Sequence, residues 1–177
     1  MARLAPRLGV LILLTAFVDA PAFAHTGSQP ESEAARRMHA RLMALSQGEG
    51  SMSDLRIELM DGGMAAHRSF TINAGKLVSK EWTSPGSPMV QREGDVPDAR
   101  LAELLQQLIA KRYWSFEGTR FVPDAPVFLF RFFYGDLSYV DFRCDHEELE
   151  ESAARSAIRT LFLTFVSETA MKSVPVK

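Results

Sequence analysis

The chain has 177 residues, 46% hydrophobic and 24% charged, with a formal net charge of −2. That is enough for one domain with a real core, and it provides no excess of Lys and Arg with which to hold nucleic acid or an anionic membrane surface. The single cysteine, Cys144, excludes an internal disulfide, so stability must come from the apolar core.

Met1 to Ala24 reads as a secretory signal peptide. Arg3 and Arg7 supply its positive start, Leu8 to Val18 its apolar stretch, and Ala22-Phe23-Ala24 the cleavage box, which makes His25 the first mature residue. The apolar stretch falls well short of the roughly 20 residues that a bilayer-spanning helix needs. No Cys stands at the cleavage point for a lipid anchor. The expectation is an exported product with no membrane span after cleavage. The leader carries two Arg and one Asp, so the mature chain holds 18 basic against 21 acidic residues. With no disulfide pair, and with Asn73 as the sole Asn and outside any glycosylation triplet, the expected location is a bacterial periplasm or the extracellular space.

Residues 25–53 form a polar lead-in with one helical stretch, Glu31 to Gln47, in which Met38, Leu42 and Leu45 recur at helix spacing. So thin a stripe predicts a loosely docked helix or a partly disordered segment. A single α+β domain is expected over residues 54–177. Leu55, Ile57 and Leu59 alternate with Arg56, Glu58 and Met60 as in a half-buried strand, and Asp61-Gly62-Gly63 turns the chain. Strands at His67 to Asn73 and Lys76 to Trp82, joined by Ala74-Gly75, complete a meander. Residues 83–97, rich in Pro and Gly, read as a loop with a short edge strand near Met89 to Arg92. A helix follows, with Leu101, Leu104, Leu105 and Leu108 on one face and Asp95 or Asp98 to cap it.

Val127 to Tyr134 and Leu137 to Cys144 form a hairpin about Gly135-Asp136. A strict two-residue loop would mix charged and apolar residues on both faces. A loop with one or three extra residues sorts them: Phe128, Phe130, Phe132, Val140, Phe142 and Cys144 inward, and Leu129, Arg131, Phe133, Tyr139, Asp141 and Arg143 outward. Burial then needs no unpaired charge. Cys144, at the end of this Phe-rich run, reads as a buried, inert thiol. A last helix, roughly Glu148 to Ala170, begins in carboxylates and carries Ile158, Leu161, Phe162 and Phe165 on one face. The sum is an antiparallel sheet of about five strands, meander plus hairpin, with two helices packed on one face. Trp82, Trp114 and Phe116 read as core or core-edge residues.

The outer sheet face is therefore the expected binding surface, carried by Arg131, Phe133, Tyr139, Asp141 and Arg143, unless the N-terminal helix or loop 83–97 covers it. Its partner is an unidentified protein or small ligand, and no catalytic step or cofactor is implied. Ser69 and His67 lie two apart on a strand with no third orienting group, and no nucleophile elbow or phosphate loop occurs. His146 and Glu150 share a helix face but lack the second imidazole of a zinc-protease motif. The alternative rests on His25, whose α-amino group and imidazole would form a nitrogen pair suited to copper(II). In that residue alone the chain resembles two exported copper-binding groups, the lytic polysaccharide monooxygenases and certain copper carriers. The resemblance implies a copper-binding or redox protein, although those proteins are β-sandwiches and this pattern is α+β.

Overall fold

The computed structural model describes residues 33–63, 66–84, 86–113, 127–145 and 153–176. In chain order these form helix α1 (Glu33–Ser46), strands β1 (Leu55–Gly62), β2 (His67–Asn73), β3 (Lys76–Trp82) and β4 (Val90–Asp95), and helix α2 (Asp98–Ala110). Strands β5 (Val127–Tyr134) and β6 (Leu137–Asp145), helix α3 (Ala153–Glu168) and strand β7 (Lys172–Val174) complete the order. The seven strands make one antiparallel sheet in the order β6-β5-β1-β2-β3-β4-β7. The class is α+β, as the sequence predicts; among the described residues there are seven strands in place of about five, and the lead-in helix α1 joins the two expected helices in packing on the sheet.

Alternation fixes the meander. Leu55, Ile57 and Leu59 of β1, Phe70 and Ile72 of β2, and Leu77 of β3 all point to one face and are buried. Ala74 and Gly75 both adopt positive φ, 46° and 71°, as a two-residue hairpin loop with the right twist requires. The two added strands sit beyond it. β4 lies where a loop with a short edge strand is expected, and it is an interior strand because β7 pairs with its far side. Gly94 makes that possible. A Cβ there would lie 2.5 Å from the Ala170 carbonyl oxygen, so only glycine lets the chain after α3 rest on β4 and deliver β7 to it.

One apolar cluster joins the sheet to all three helices. Leu101, Leu104, Leu105 and Leu108 of α2 are buried as expected, and so are Ile158, Phe162 and Phe165 of α3. Phe162 meets Phe130 edge-on at 5.2 Å and Phe70 at 6.2 Å, which seats α3 over the middle of the sheet. Helix α1 belongs to the same core. Its Ala35, Met38, Leu42 and Leu45 are fully buried, so it is not loosely docked. Each such Leu contributes about 1.5–3 kcal/mol of transfer free energy, and Gln106 of α2 donates to the Ser46 carbonyl at 2.8 Å, fixing the helix end. Capping differs from expectation. Pro97 occupies the N-cap of α2 without any side-chain bond, Asp98 lies in the first turn, and Asp95 instead accepts from Lys76 at 3.3 Å. Residues 31–177 form one compact unit.

The β5–β6 hairpin corrects the predicted register. Tyr134 pairs with Leu137 across a strict two-residue loop, and Phe132 with Tyr139, so the hairpin begins in the arrangement that mixes the faces. A bulge then inserts one residue. Phe130 pairs with Phe142 while Arg131 pairs with Val140, leaving Asp141 as the extra residue. Beyond it the phase is the expected one, with Cys144 opposite Phe128 and Arg143 opposite Leu129. Near the turn it is reversed. Tyr139, paired with Phe132, lies on the inner face, where its ring meets His39 of α1 edge-on at 5.7 Å.

Candidate functional site

Because α1, α2 and α3 all bury their apolar residues in the inner-face core, no helix among the described residues lies on the other face of the sheet. Of the two expected covers, α1 packs instead against α2 and β6, and residues 90–95 of the loop are strand β4 within the sheet. The outer face carries Arg56, Glu58 and Met60 from β1, Ser69 and Thr71 from β2, Val78 and Lys80 from β3, and Leu129, Arg131 and Phe133 from β5.

At the β1–β5 junction, pairing sets a square of four side chains. Arg56 stands opposite Phe133, and Glu58 opposite Arg131, which puts the two arginines on one diagonal. The Arg56 guanidinium lies over the Phe133 ring at 3.9 Å. Its Nε is 3.4 Å from Glu58, an ion-pair contact not aligned as a hydrogen bond, and Arg131 approaches the same carboxylate at 3.9 Å. One carboxylate thus serves two cations loosely. Neither guanidinium donates a hydrogen bond to a described residue, and the arginine side chains are 43% and 42% exposed. Met60, itself exposed, and buried Leu129 form an apolar shelf beside them.

No protein-family model and no curated protein matches this chain.

Of the sequence-predicted surface residues, Arg131 and Phe133 come together on this face. Arg143 and the bulge residue Asp141 follow in the adjoining strand, and Tyr139 lies on the opposite side. Arg56 and Glu58 complete the square and escaped sequence reasoning, which saw them only as the polar phase of a strand. His25, the copper candidate, lies outside the described residues, as do His146, Glu150, Trp114 and Phe116. Among the described residues no cluster of three or more His, Cys, Asp or Glu side chains could hold a metal ion, and no helix is long and apolar enough to cross a membrane. His67 and Ser69 share the outer face, but the imidazole stacks on Trp82 at 4.4 Å and makes no hydrogen bond to the hydroxyl. Burial holds its pKa below the ordinary imidazole value, against the pull of the Asp61 carboxylate.

A second ionic cluster lies on the inner face. Asp61 continues the inward phase of β1 and is 2% exposed. Arg159 of α3 reaches it through Nε at 3.3 Å and Nη2 at 2.9 Å, and Arg68 of β2 at 2.5 Å. Burial works to raise its pKa, yet the Arg159 and Arg68 guanidiniums outweigh that and hold it below the usual carboxylate value. This cluster bolts α3 to the sheet. Between α2 and α3 a cleft of about 200 Å³ is lined by Leu104, Leu161 and Phe165. Arg100 spans its end, donating to the Phe165 and Glu168 carbonyls at the close of α3.

Proposed function

We propose that this protein is a non-catalytic binding module, exported on the strength of its N-terminal leader, whose contact surface is the sheet face around Arg56, Arg131 and Phe133, which no helix among the described residues covers. One observation carries the reading: two half-exposed guanidiniums share a single loosely placed carboxylate, and one of them, that of Arg56, lies over an aromatic ring. Their hydrogen-bonding edges are turned to no partner within the described chain, so a ligand can take them without first breaking a strong internal bond. Aromatic rings beside arginines are enriched at interface centres, where each can supply a large share of the binding energy. The proposed surface continues into β6, the strand that pairs with β5 and holds Asp141 and Arg143.

The test is partner capture from an exported fraction, read by native mass spectrometry of the co-purified complex. Reversing Arg131 and Arg143 to Glu together should abolish capture and leave the thermal midpoint nearly unchanged, because exposed ion pairs are worth roughly 0–1 kcal/mol. Undiminished capture by the double variant would overturn the proposal.

A further inference from the structure

The geometry of the square points to the class of partner. We infer that the outer face binds an extended acidic peptide segment with carboxylates at alternate positions. The inference rests on the binding-module reading and sharpens it.

The argument is one of spacing and charge. Arg56 and Arg131 are diagonal neighbours on adjacent antiparallel strands, which places their Cα atoms roughly 7–8 Å apart. Side chains at i and i+2 of an extended chain project to the same side and recur about every 6.8 Å. A strand laid over the square therefore offers one carboxylate to each guanidinium, and its intervening side chains turn away. Arg56 is already held flat by Phe133, so little of its rotamer freedom remains to be lost on binding. Glu58 is the internal competitor. Its single charge offsets only one of the two positive charges, through loose contacts at 3.4 and 3.9 Å, and an incoming pair of carboxylates displaces it. The charge balance favours this occupant over others: the chain as a whole is net acidic, whereas this corner carries two guanidiniums for one carboxylate. A nucleic acid would meet net repulsion beyond the corner, and a basic segment would meet repulsion at it.

The experiment uses fluorescein-labelled hexapeptides and anisotropy with the full chain. Three probes are compared: Thr and Glu alternating, the same composition with the three Glu consecutive, and Thr alternating with Lys. The alternating Glu peptide should bind at least about tenfold more tightly than the Lys peptide and measurably more tightly than the block peptide, with affinity falling as salt rises. Arg56→Gln and Arg131→Gln should each weaken it about 10- to 100-fold, the scale of a lost charge-assisted hydrogen bond. Glu58→Gln should strengthen it several-fold. A merely structural role for that carboxylate would not give a gain. Amide shifts on binding should be confined to β1 and β5. Equal binding by the block peptide, or equal competition by inorganic phosphate, would reduce the site to general anion attraction and overturn the inference. Binding of the Lys peptide to the same strands would overturn the acidic class and leave the contact surface standing. No peptide binding, with capture still lost on charge reversal, would have the same meaning. Failure of both measurements would remove the surface reading as well.

Discussion

Asp61 and Glu58 sit three residues apart on the same strand, and each meets two arginines, but on opposite faces of the sheet. The Asp61 side chain is 1% exposed and held by hydrogen bonds as short as 2.5 Å, whereas Glu58 is 30% exposed and reaches its arginines only at 3.4 and 3.9 Å. The charged groups are the same, a carboxylate between two guanidiniums, and the physics differs. Where α3 excludes water, an unpaired charge is prohibitively costly, so pairing is tight and complete. Where water reaches both partners, pairing is nearly neutral in free energy and the guanidiniums keep unused donors. One cluster therefore belongs to folding, and the other is available to a ligand.

Aromatic truncation gives the widest separation between the two faces. Phe130→Ala, on the inner face, should cost about 3–5 kcal/mol in chemical denaturation, and Phe133→Ala, half-buried on the outer face, no more than about 1.5 kcal/mol. Similar losses from the two would mean that the outer face is itself a core.

The carboxylates come next. Asp61→Asn should destabilise by about 2–4 kcal/mol, tempered because both arginines still reach water, against less than about 1 kcal/mol for Glu58→Gln. Acid unfolding sharpens the contrast. A depressed folded pKa means that the unfolded chain takes up the proton more readily, so the stability owed to Asp61 is complete above its unfolded pKa of about 3.9. It is lost as pH falls through the lower folded value. Denaturation midpoints of the wild type should therefore fall more steeply below about pH 4 than those of Asp61→Asn.

His67 has the smallest expected effect. Burial beside Trp82 lowers its pKa, so stability owed to the neutral ring is full above about pH 6.5 and declines as pH drops toward the folded value. A ring titration followed by NMR should have its midpoint below 6.5, and a midpoint above it would show that Asp61 outweighs burial.

Much of the fold was legible because local signals agreed. β2 and β3 lie within the predicted bounds since alternation on both sides met a turn at Ala74-Gly75, and the leucines of α2 declared their buried face. Three elements were not. β7 is three residues of no marked pattern, held by pairing with β4, a strand far earlier in the chain that only tertiary structure brings beside it. The α1 stripe looked thin because small Ala35 and polar His39 fill its buried face beside Met38, Leu42 and Leu45. The bulge at Asp141 had no sequence marker, so the pattern beyond it was read back to the turn, where the two-residue loop sets Tyr139 opposite Phe132. At the candidate surface, Arg131 and Phe133 were readable from alternation, whereas Arg56 and Glu58 became visible only once β1 was known to lie beside β5. Asp61 was read as a turn residue, although it continues the inward phase of Leu55, Ile57 and Leu59. Its partners come from 7 and 98 residues away.

The bulge bears on solubility as well as on register. β6 closes one end of the sheet order, and among the described residues no strand pairs with its far side. A flat nine-residue edge rich in aromatic and β-branched residues is the kind of template on which a second chain nucleates a fibril. A bulge sharpens the local twist of a strand, and this one divides β6 into two runs of four residues, each shorter than the roughly six or seven of a steric zipper.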